Sequence, residues 1–97
     1  MNELFIRQSR VLLQLLADYR SGEINLNSLI QKVDGVRNIV GEEKWGDEIF
    51  STILCLEQIN ASVIEGRRVF TESDAAMVNH LLVDLESLSR RLGANAD

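Results

Sequence analysis

The chain has 97 residues, of which 45% are hydrophobic and 26% charged, with a net charge of −5. That length suits one domain burying roughly 60–65% of its unfolded surface, and the composition lies far from the low-hydrophobicity, high-charge corner of disorder. A single cysteine excludes an intrachain disulfide. The opening MNELFIRQSR carries acidic Glu3 in place of a basic stretch, and the apolar runs are far shorter than the roughly 20 residues that cross a bilayer. The expectation is a cytoplasmic protein that spans no membrane.

No proline occurs anywhere, so glycines are the main punctuation of helical segments. The first helix is expected from about Asn2 to Arg20. Leu4, Phe5, Val11, Leu12, Leu15, Leu16 and Tyr19 lie on its apolar side, and Glu3 and Arg7 form an i,i+4 pair. Gly22 fits the left-handed position that closes a helix, and Arg20 complements the negative end of its dipole. Asn25 or Asn27 can cap the second helix, Asn25 being preferred. Leu26, Leu29, Ile30, Val33, Val36, Ile39 and Val40 keep helical spacing until Gly41 ends it. Gly35 within it is a weak point of about 1 kcal/mol against alanine, which close packing would explain.

The third helix follows, its start left open by Gly46. Trp45, Ile49, Ile53, Leu56, Asn60 and Val63 recur at three- or four-residue steps, and Phe50, Leu54, Ile59 and Ile64 widen the stripe. So broad an apolar side implies a helix touching more than one neighbour. After EGRRVF, Thr71 with Asp74 three residues on makes a shortened capping box, and Phe70 with Ala75 a weak staple. Val78, Leu81, Leu82, Leu85, Leu88 and Leu92 then run to Arg90, Arg91 and a closing Gly93. Four helices with short connections define the expected fold: an all-α, antiparallel four-helix bundle forming one domain over residues 1–97.

Little in this chain resembles catalytic or metal chemistry. His80 and Asp84 sit one turn apart without further ligands and read as a surface hydrogen bond. Cys55 lies among Ile53, Leu54 and Leu56 and reads as a buried small hydrophobe, without the basic neighbours that activate a thiol. No elbow, triad or phosphate loop is present. The expectation is a non-enzymatic protein without cofactor or metal.

Charge distribution says more. Between Glu42 and Glu65 there are six acids and one base, a balance of −5, while the rest of the chain holds nine acids and nine bases. Acids at a helix start complement its dipole and solvate the surface. They can equally form a face for a basic partner, so Glu42, Glu43, Asp47 and Glu48 are candidate partner-binding residues. Trp45 among them is either an aromatic anchor or a core side chain. The same balance disfavours direct nucleic-acid binding, which requires a basic patch.

The segment LADYRSGEINLNSLIQKV resembles the corresponding part of the colicin D immunity family. There a leucine-rich helix ends in an aromatic, a small-residue turn, an isoleucine and a polar cap before the next helix. Tyr19, Ser21, Gly22, Ile24, Asn25 and Leu29 match that layout. The resemblance covers about 20 of the 97 residues. It implies a small acidic four-helix protein that binds and blocks a nuclease toxin, as do immunity proteins of contact-dependent growth inhibition systems. The leading expectation is therefore an immunity protein neutralising a basic toxin, an RNase being the favoured kind. The alternative is a regulatory module that self-associates or docks through the leucine faces of the first and fourth helices.

Overall fold

The computed structural model describes residues 3–41, 43–66 and 69–94, the side chains at 43 and 44 excepted. These residues form helices α1 (Glu3–Arg20), α2 (Leu26–Val40), α3 (Glu43–Glu65) and α4 (Glu72–Ala94) and contain no strand. Each helix packs on two neighbours, α1 and α3 both lying between α2 and α4, in an antiparallel four-helix bundle of 46 × 25 × 18 Å.

The ends follow local chemistry. Gly22 at φ 84° closes α1. Its N–H donates to Tyr19 O at 3.1 Å and the Glu23 N–H to Asp18 O at 2.8 Å, the paired bonds of a Schellman motif. Asn25 caps α2, its side chain accepting from the Ser28 N–H at 2.8 Å. Gly41 ends that helix at φ 64°, a conformation that strains residues with a Cβ. The Thr71–Asp74 capping box closes in both directions, with 2.9 Å from the Thr71 N–H to Asp74 Oδ2 and 3.1 Å from the Asp74 N–H to Thr71 Oγ1. Phe70 and Ala75 stay exposed, so the staple adds little.

The core consists of one stripe from each helix. Leu12, Leu16, Leu29, Val33, Ile49, Ile53, Leu56, Leu82, Leu85 and Leu92 are essentially inaccessible, and fully burying such a side chain is worth about 1.5–3 kcal/mol. Phe5 of α1 reaches diagonally to Trp45 of α3, the rings meeting edge to face at 6.5 Å and 78°, a preferred aromatic geometry.

Several expectations are corrected. Leu4, Val11, Phe50, Leu54 and Ile64 are exposed, so the stripes of α1 and α3 are narrower than hydrophobicity suggested. The leucines of α4 face inward, Leu82, Leu85, Leu88 and Leu92 being buried and Leu81 partly so. The α4 part of the leucine faces expected to serve docking is thus taken up by the core. Gly93 does not close α4 but lies within it. A Cβ there would come 2.8 Å from Ser9 Oγ and 3.2 Å from Ser9 Cβ, so this glycine permits close approach of α1. The buried Ser9 hydroxyl donates to Ser89 O at 2.7 Å across the same seam. Gly35 has nothing within 4 Å of where its Cβ would stand, so packing does not explain it.

Candidate functional site

The acidic segment begins where α2 ends. Glu42 lies outside the described residues, and of Glu43 only the backbone is described. The structure decides the two readings of Trp45: the residue is 6% exposed and belongs to the core, so an exposed aromatic anchor is ruled out. Helical geometry gives the cause, because Trp45, Ile49, Ile53 and Leu56 turn to one face at about 100° per residue. Asp47 points outward and is exposed. Glu48 is half-buried, with Oε2 3.7 Å from Arg91 Nη2 of α4 and without a hydrogen bond. Of the expected cluster, Asp47 is therefore the one whose side chain stands exposed among the described residues.

The acidic character nevertheless extends along α3. From Trp45 to Glu65 there is no lysine, arginine or histidine, while Asp47, Glu48, Glu57 and Glu65 are acidic. Asp47, Glu57 and Glu65 are exposed. Between them stand Phe50 and Leu54, 39% and 42% exposed. Residue-level hydrophobicity placed both in the core; the missed signal was angular. At about 100° per residue, Leu54 lies about 180° and Phe50 about 140° from Trp45. The outer face of α3 thus combines apolar side chains with carboxylates.

On the α2 side, the Arg37 guanidinium lies 4.6 Å from the Phe50 ring centroid and is tied to Asp34 at 3.0 Å. Further along this seam, Asn60 Nδ2 is 3.4 Å from Asn27 Oδ1. A shallow depression of 340 Å³ opens there, lined by Gln31, Glu57, Ala61, Ile64 and Glu65 among others. On the α4 side a larger, mainly apolar groove of 620 Å³ includes Cys55, Ile59, Met77, His80 and Leu81. Cys55 is exposed there, which corrects the expectation of a buried thiol. Its angular position, about 80° from Trp45, puts it on the flank of α3 where packing against α4 does not close over it.

One further ion pair joins α1 to α4. Arg20 of α1 donates to Glu86 of α4 at 2.7 Å, and that hydrogen bond holds the Glu86 carboxyl below its ordinary pKa. Burial raises the Tyr19 phenol. His80 and Asp84 form an exposed pair at 3.8 Å. Among the described residues no group of three or more histidine, cysteine or acidic side chains converges as a metal site. None of the described helices is long and apolar enough to cross a membrane.

Fold and site together define a small all-α bundle with an acidic, partly apolar helix face. No protein-family model matches the chain, and no curated protein or solved structure matches it either.

Proposed function

We propose that the protein is a non-enzymatic inhibitor that binds a basic protein toxin, most simply a nuclease, and neutralises it by covering its active or substrate-binding surface with the α3 segment. The observation that carries this reading is the exposed acidic run of α3, with no base from Trp45 to Glu65. Such a face accelerates encounter with a basic partner and selects against acidic ones. The carboxylates beside Arg20, Arg37, Arg90 and Arg91 add support, since they offset the positive charge these arginines would offer to phosphates. The nuclease class and the immunity role rest on the resemblance around Tyr19–Leu29.

The test is affinity capture. The protein, carrying a handle after Asp97, is used to recover bound polypeptides from its native host cells after a low-salt wash. The expected product is one stoichiometric basic polypeptide, released at high salt, whose toxic or nuclease activity is abolished by re-adding the protein at equimolar ratio. Recovery of the protein alone as a stable oligomer, or of a polypeptide whose activity is unaffected, would overturn the reading.

A further inference from the structure

Among the described residues the outer face of α3 is not covered by another helix, since α3 packs on α2 and α4. Along it Phe50 and Leu54 are one turn apart and partly exposed. Seven residues beyond Leu54, about 10 Å along the helix, Ala61 lies in the depression that Glu57 and Glu65 flank. Both carboxylates are exposed, and among the described residues no lysine or arginine lines the depression. On this seam Arg37 is paired with Asp34 and seated on Phe50.

We infer that the outer α2–α3 seam receives a basic amphipathic helix of the partner protein, its apolar side chains on Phe50 and Leu54 and a lysine or arginine in the depression between Glu57 and Glu65. This deepens the toxin-neutralising reading and rests on it. Charge complementarity selects the occupant. An acidic or neutral helix would leave Asp47, Glu57 and Glu65 facing no counter-charge, and a second copy would bring the same acids against them. The two-turn offset fixes the register: the partner helix carries its apolar pair and its basic residue about seven positions apart, which puts both on one face. The small Ala61 side chain leaves room for the stem of a long cation, whose methylenes lie against Ile64 while its charge meets the carboxylates.

The experiment uses the intact protein and a synthetic helical peptide of about 18 residues, some 27 Å long, with leucines at i and i+4 and lysines flanking them and seven positions on. Two control peptides replace the lysines by glutamates or move the distal lysine to the opposite face. Binding is read by fluorescence anisotropy at low salt. The lysine peptide is expected to bind, the register-shifted one more weakly, and the glutamate one not at all. Leu54→Asp and Glu57→Lys should each weaken the lysine peptide by roughly tenfold or more, whereas Val83→Asp on the exposed face of α4 should leave it unchanged. All three positions are exposed, and circular dichroism melts verify folding.

Equal binding of the lysine and glutamate peptides, or no loss in folded Leu54→Asp and Glu57→Lys, overturns the assignment. So does a dimer in light scattering that Leu54→Asp converts to monomer, which would make a second copy the occupant. The two readings fail separately. A captured toxin that still binds Leu54→Asp/Glu57→Lys at full affinity removes this seam but leaves neutralisation standing. Capture of no basic polypeptide, with the peptide results as expected, removes neutralisation alone.

Discussion

Two glycines in helix interiors offer a matched pair of substitutions with opposite expected signs. Gly35→Ala adds a methyl into space with no atom within 4 Å, so it gains the intrinsic preference of alanine over glycine, about 1 kcal/mol. Part of that gain arises from a less disordered unfolded chain. Gly93→Ala gains less, one residue from the end of α4, and its methyl would stand 2.8 Å from Ser9 Oγ and 3.2 Å from Ser9 Cβ. Turning the hydroxyl away breaks its buried 2.7 Å bond to Ser89 O, a loss of about 0.5–1.5 kcal/mol. The Cβ contact remains and adds an overpacking cost of about 1–3 kcal/mol. The net expectation is a loss of about 1–3 kcal/mol for Gly93→Ala against a gain of up to about 1 kcal/mol for Gly35→Ala. Urea unfolding followed by circular dichroism at 222 nm, a standard helical wavelength, measures both. Ser9→Gly combined with Gly93→Ala should recover part of the loss, because it removes the clashing group. Equal stabilisation by both alanines would refute the close approach of α1 and α4 at Gly93.

Other substitutions probe the same account. Gln8 is 6% exposed and its amide oxygen is buried without a hydrogen bond, so Gln8→Leu should raise stability by about 1–3 kcal/mol in the same unfolding assay; a loss would show that the amide is satisfied. Thr71→Val removes the hydroxyl that accepts from the Asp74 N–H and should cost about 1 kcal/mol, with the melting temperature as readout. Cys55 should react fully with a thiol reagent in the folded protein, since it is exposed; protection until unfolding would contradict its place in the α3–α4 groove. For pH, the folded-state pKa of Glu86 is lowered by its hydrogen bond from Arg20. The stabilisation from Glu86 is therefore present above the unfolded carboxylate pKa and lost as pH falls through the lower folded value. Glu86→Gln should reduce the melting temperature at neutral pH, and the difference from wild type should vanish well below the carboxylate range.

The parts of the fold legible in sequence are those set by short-range chemistry. Gly22, Asn25, Gly41 and the Thr71–Asp74 pair each act within one turn of their own helix, so residue type and spacing suffice. What escaped depends on neighbours distant in sequence. Gln8, Ser9 and Ser89 are polar yet buried, and Ser9 finds its partner 80 residues away. Gly93 could be understood only once Ser9 lay against it. Along α3, residue hydrophobicity put Phe50, Leu54 and Cys55 inside, while angular position separates them from the Trp45 stripe. The acidic excess of the third segment was visible at once. That Trp45 turns into the core and Glu48 towards Arg91, moving the exposed acids down the helix to Glu57 and Glu65, required the packed bundle.

The most direct test of the central claim is a titration of the captured basic polypeptide against wild type and against Asp47→Lys/Glu57→Lys, at several salt concentrations. Both substituted positions are exposed, so the variant should remain folded by circular dichroism. A functional acidic face predicts tight wild-type binding that weakens steeply with salt, and a variant that binds at least roughly tenfold more weakly with a flattened salt dependence. Wild-type affinity and an unchanged salt slope in the folded variant would contradict it.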